Sequence, residues 1–138
     1  MRSLTGPVGI AVSLWTAITI LVHIYFAAFG FLEPLPQRAL HLALLVAPTF
    51  LLFPARRDGP PRPTPLDWTL AIASLPPHLY VFFLARDILD RTAFVDPPTT
   101  IELLFGTIAT LLVVEATRRA LSAALALLVG VVILYLFV

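Results

Sequence analysis

Cysteine is absent from this chain, which excludes a disulfide framework, a thiolate metal site and a cysteine nucleophile. Lysine and asparagine are absent too, so all nine basic residues are arginine. The arginines are spread along the whole chain. We therefore read their exclusive use as the mark of a GC-rich, bacterial genome rather than as selection for bidentate anion contacts. Charge is scarce: 12% of residues carry it, against about 25% in an ordinary soluble domain. The net charge of +1 lacks the basic excess that nucleic acid requires of a partner, so none is expected. What fills the chain instead is apolar: 59% of residues, with a mean hydropathy of +0.97. The 138 residues suffice for one domain, and a domain of this size exposes a large share of its surface. So little charge cannot cover that surface in water. A soluble globular domain and a disordered chain are both excluded, and an integral membrane protein in contact with the lipid bilayer is expected.

Five apolar segments follow one another, at about 8–32, 39–55, 68–87, 101–117 and 120–138. Their cores are too long for barrel strands and lack dyad alternation, so helices are the expected structure. A spanning helix needs about 20 residues, with a range of about 17–25. The first, second, third and fifth segments meet that length on uncharged residues alone. The fourth meets it only with a carboxylate at or inside each end, Glu102 and Glu115. The expected fold is all-α, an integral membrane bundle of four to five transmembrane helices in a single domain. The first segment is too long for the core of a cleaved signal peptide and is read as a span.

Proline marks the connections. Pro34 and Pro36 separate the first two segments, five prolines from Pro54 to Pro65 stiffen the next link, and Pro97 and Pro98 precede the fourth, where Thr99 or Thr100 is placed to cap a helix. Pro48, Pro76 and Pro77 fall inside segments, where kinks are expected. With the amino terminus in the cytoplasm, six arginines (Arg2, Arg56, Arg57, Arg62, Arg118, Arg119) lie inside and three (Arg38, Arg86, Arg91) outside, which is the favoured orientation. The last join is unresolved at this level. Only Thr117, Arg118 and Arg119 separate segments four and five, and a continuous helix over both would run about 57 Å. Either a tight turn intervenes, or one of the two segments lies along the membrane interface.

Three charged groupings stand out. Glu115 faces Arg118 and Arg119 at i+3 and i+4. This reads as an anion or lipid-headgroup site, or as a membrane-boundary ion pair, and the boundary pair is favoured because arginine snorkels readily there. Arg38 and His41, also i+3, read as substrate or proton handling, or as a helix-end pair facing Glu33, which is favoured. Arg86–Asp90 and Asp87–Arg91 read as two i,i+4 pairs on a solvated helix end. His23, His41 and His78 sit on three different segments, with His23 and His78 at poorly matched depths for haem ligation. No phosphate-binding glycine loop, HExxH, GxSxG or catalytic carboxylate pair occurs. No catalytic, cofactor or metal residue is therefore assigned, and no enzyme is indicated.

Several of these stretches resemble a known family in order and spacing. FGFLEPLPQRALHLALL from Phe29, FLLFP from Phe50, Tyr80, Arg91 and Asp96-Pro-Pro, and above all LLVVEATRRAL from Leu111 look like the amino-terminal region of fused permeases of tripartite ATP-independent periplasmic (TRAP) transporters, the type paired with TAXI binding proteins. The resemblance covers nearly the whole chain. It implies a small scaffold subunit in the bacterial inner membrane. That subunit anchors a large sodium-coupled permease subunit, to which a periplasmic binding protein delivers an organic acid. Sodium and substrate residues would lie on the large subunit, so this chain is expected to hold no cofactor. Arg38, His41, Glu115, Arg118 and Arg119 carry over as family motif positions without assigned chemistry. Ser122 stands where relatives often have glycine. Relatives also continue into a large transport region, so the chain reads as a split small subunit or a truncated fusion. The alternatives are a small haem-binding membrane redox protein and an orphan structural membrane protein.

Overall fold

In the computed structural model, which describes residues 1–30, 32–56, 58–92 and 95–135, the regular structure is helical throughout. The helices are α1 (Gly6–Phe29), α2 (Pro34–Leu52), α3 (Pro65–Phe83), α4 (Ala85–Leu89), α5 (Thr100–Ala120) and α6 (Ala123–Tyr135). Proline stands in the first turn of α1, α2 and α3, where its missing N–H has no helical partner to lose and its φ is already helical. Thr64 and Thr99 open α3 and α5 with full capping boxes, closed by Asp67 and Glu102. Thr99 is thus the cap, rather than Thr100.

Helices α1, α2 and α5 are long and apolar enough to cross a bilayer. The fourth segment does hold Glu102 and Glu115 inside its helix, as its length required. Two expectations shift. The segment at 68–87 is not one helix: α3 ends at Phe83, and after Leu84 the short α4 starts at Ala85. Asp67, Pro76, Pro77 and His78 dilute the apolar run of α3, which falls short of the three others in span character. In the segment at 120–138 the described helix α6 has 13 residues.

The core lies where α2, α3 and α5 meet. Phe50 is completely buried and is surrounded by Val46, Ala47, Leu51, Ala71, Leu112 and Ala116, with Val12 of α1 at the edge. Ala39, Ala43 and Ala47, each buried, form a four-residue repeat along α2. Such a stripe lets a neighbouring backbone approach closely, which helps helices associate where no hydrophobic effect drives them together. The outward face of α1 is apolar and exposed at Ile10, Leu14, Ile18, Leu21 and Ile24, as lipid contact requires.

Helix α2 runs through Pro48, and α3 through Pro76 and Pro77, without a break. Pro48 has no N–H to give the carbonyl of Leu44 one turn back. The indole Nε1 of Trp15 donates to that carbonyl at 2.8 Å. The freed acceptor therefore becomes a polar link between α1 and α2. The join between α5 and α6 is a tight turn over Leu121 and Ser122. Ser122 caps α6, its hydroxyl accepting from the Leu125 N–H at 3.1 Å. Glycine is not needed, because serine supplies the N-cap of the returning helix.

Trp15→Phe strands the Leu44 carbonyl. It is expected to destabilise the protein by about 1–2 kcal/mol, read as a lower melting temperature in detergent. In a Pro48→Ala background the helix regains its own N–H, so the cost of Trp15→Phe should shrink by more than half. Equal costs in the two backgrounds would show that this hydrogen bond is not the link.

Candidate functional site: a buried ionic hub

The end of α2, the start of α3 and the end of α5 converge at one end of the bundle, and each brings a helix terminus that needs charge. The carboxylate of Asp67, in the first turn of α3, accepts from the Thr64 backbone N–H and hydroxyl, both at 2.9 Å. Two guanidinium groups complete its shell. Arg2 donates to Oδ2 at 2.8 Å, and Arg119 to Oδ1 at 2.6 Å. The side chains of Arg2, Asp67 and Arg119 are between 1% and 3% exposed, so this is a dry ion cluster.

Arg2 does more than neutralise Asp67. Its guanidinium also donates to the carbonyls of Leu51 at 3.0 Å, Phe50 at 3.4 Å and Pro60 at 3.0 Å. Its backbone N–H donates to Leu52 O at 2.8 Å. The last carbonyls of α2 have no helical donor of their own, and a cation there is favoured by the helix dipole. Arg119 continues the chain of contacts. Its Nε donates to Glu115 Oε1 at 2.7 Å, and its guanidinium carbon sits 5.1 Å from the centre of the Phe50 ring. Arg118 grips Glu115 with Nε and Nη2, both at 2.7 Å, and reaches the Ala55 carbonyl at 3.1 Å.

The expected grouping of Glu115, Arg118 and Arg119 therefore exists, and it belongs to a larger network. Both hydrogen bonds of the buried Arg119 go to carboxylates of this chain, Glu115 and Asp67, the arrangement expected of a boundary lock. Arg2 and Asp67 were not singled out by sequence. For Asp67 a signal was present: Thr64-Pro65-Leu66-Asp67 matches the capping-box pattern ahead of an apolar run. For Arg2 none was, since its partners lie 48 to 65 residues away.

The opposite end of the bundle departs from expectation. His41 does not turn to Glu33. Its Nδ1 lies 2.7 Å from Nε2 of His23, whose own Nδ1 lies 2.7 Å from the Thr19 carbonyl. A carbonyl only accepts, so His23 Nδ1 carries a hydrogen there. When both rings are neutral, His41 Nδ1–H donates to His23 Nε2. The two rings meet edge to face with centroids 4.9 Å apart. A haem iron between them would have to replace this hydrogen bond. Arg38 forms no ion pair with Glu33 among the described residues.

The pairs Arg86–Asp90 and Asp87–Arg91 are also absent among the described residues. Helix α4 ends at Leu89, so the i,i+4 spacing no longer places those side chains together. Arg91 instead reaches across to Glu102 of α5 at 2.7 Å. That contact raises the guanidinium pKa of Arg91 above its ordinary value and fixes the α4 end to the start of α5.

Asp67→Asn leaves two buried guanidinium groups without their shared anion. A loss of about 3–5 kcal/mol is expected, read as a collapse of the folded, monodisperse fraction in size-exclusion chromatography. Arg118→Gln touches a pair that is more than a third exposed on its cationic side, so its cost should stay below about 1 kcal/mol. Equal losses from the two variants would refute the ranking. Comparison with protein-family models, with curated protein sequences and with solved structures finds no match to this chain.

Proposed function

We propose that this chain is the small scaffold subunit of a TRAP-type secondary transporter, anchoring a large permease subunit in the bacterial inner membrane. In this reading α3 and α6 join α1, α2 and α5 to make four to five spans, with the amino terminus cytoplasmic. The large subunit carries the sodium and organic-acid sites, and a periplasmic binding protein feeds it.

The observation that supports this reading best is how the EATRR side chains are used. Glu115, Arg118 and Arg119 bond to one another, to Asp67 and to the Ala55 carbonyl. They tie helices of this chain together and leave no charge free to follow a solute. A helix bundle that moved ions or acids on its own needs ionisable groups along a path through the membrane. Here the charged clusters sit at the two ends of the bundle. Broad apolar faces on α1, α5 and α6, including Ile10, Leu21, Leu104, Leu111, Leu127 and Val131, stay exposed and are available to lipid and to a large partner.

The test is affinity purification of the tagged chain from its native membranes in a mild detergent. A large multi-helix permease encoded beside this gene should co-elute in near-stoichiometric amount. Recovery of the chain alone from intact membranes would overturn the scaffold role.

A further inference from the structure

A cavity of about 560 Å³ lies between α2, α3, α5 and α6, at the end of the bundle away from the ionic hub. Its size falls within the range of about 300–1,000 Å³ typical of ligand pockets. It is amphipathic. Gly106, Ala109, Val113 and Val129 give it an apolar side. Arg38, His78, Arg91 and Glu102 line it too, and all belong to one end of the bundle. Arg38 is four residues from the start of α2, His78 five from the end of α3, and Glu102 two from the start of α5, which is within about 8 Å of a helix end in each case.

The polar lining is unevenly satisfied. Arg91 and Glu102 pair with each other, whereas Arg38 is exposed and has no ion pair among the described residues. One unmatched positive charge therefore sits on the rim. His78 is 4% exposed, and its Nδ1 lies 2.6 Å from the Ser74 carbonyl. Because a carbonyl only accepts, Nδ1 carries the hydrogen, and neutral His78 keeps a lone pair on Nε2. That Nε2 is buried and has no hydrogen-bond partner among the described residues, and neither has Glu102 Oε1. A buried acceptor left this way is costly unless a donor reaches it.

We propose that this cavity is a binding site for an anionic phospholipid, such as phosphatidylglycerol. The phosphate sits on Arg38, one acyl chain lies along the apolar side beside Gly106 and Val129, and a headgroup hydroxyl supplies the donor that His78 Nε2 lacks. Basic pockets between membrane helices bind anionic headgroups in this way. The site is complete within this chain, so it stands whether or not a permease partner is bound.

Native mass spectrometry of the full chain in detergent, given equal amounts of phosphatidylglycerol and phosphatidylcholine with identical tails, tests the site. Phosphatidylglycerol should be retained about fivefold over phosphatidylcholine, the selectivity expected from one arginine at a headgroup. Arg38→Gln, at an exposed position, should bring the ratio close to one. Gly106→Leu fills the cavity at a point where a Cβ meets nothing within 4 Å, and it should reduce retention of both lipids without loss of helicity. The proposal is overturned if the wild-type chain shows no preference. It is equally overturned if Arg38→Gln keeps the preference, or if a folded Gly106→Leu variant retains lipid as the wild type does. Should Gly106→Leu fail to fold, the Arg38→Gln ratio decides alone.

Discussion

The carboxylate of Asp67 takes four donors from three separate parts of the chain, and the arrangement of the helices at that end follows from it. Thr64 holds it at the start of α3, Arg2 brings the amino-terminal residues and the end of α2 to it, and Arg119 brings the end of α5. None of these charges is tolerable alone in so dry a place. Together they offset one another, with Asp67 lying between the two guanidinium groups, and each stands at a helix end whose dipole favours its sign. Asp67 is in the first turn of α3, Arg2 is beyond the last turn of α2, and Arg119 is in the last turn of α5. In an apolar surrounding, where packing between helices gains little from excluding water, such a polar lock gives a register that leucine and alanine faces do not supply.

The same economy of polar groups appears wherever the helices touch. Proline frees a carbonyl in α2, and a tryptophan from α1 takes it. Serine caps α6 where a two-residue turn has no room for a longer loop. Threonine hydroxyls at 16, 49, 69, 107, 110 and 117 donate back to the carbonyl one turn earlier, so their polarity is spent within their own helix. The exceptions among the described residues are His78 Nε2 and Glu102 Oε1, both buried without a partner and both on residues that line one cavity. Two unsatisfied acceptors beside one cavity are the observation behind the lipid site proposed there.

Charge is thus divided between two ends with different character. One end is closed: Arg2, Asp67 and Arg119 satisfy one another in the dry, with the partly exposed Glu115 and Arg118 beside them. The other is open, with Arg38 unpaired among the described residues on the rim of an amphipathic cavity and the His23–His41 pair nearby. The closed end suits a scaffold that must keep its own helices together, and the open end suits contact with headgroups. Both properties fit a small subunit that holds its place in the membrane and presents apolar helix faces to a larger neighbour.

Hydropathy and punctuation determined the helical class, the existence of five apolar segments, a threonine cap at 99 or 100 and the grouping of Glu115 with Arg118 and Arg119, because each of these is written within a few residues of chain. Local spacing misled where a helix stopped early. Arg91 left Asp87 for Glu102 once α4 ended at Leu89, and His41 turned to a ring on the neighbouring helix. The turn at Ser122 was legible only as a choice between two possibilities, since a single serine cap is a weak signal beside the glycine usually looked for. What the tertiary structure alone decided is which charges share the dry interior: Arg2 and Asp67 are 65 residues apart, and no local pattern reaches that far. Their pairing depends on helix ends being brought to one point by the packing of Phe50 and the alanine stripe of α2, a matter of shape rather than of spacing.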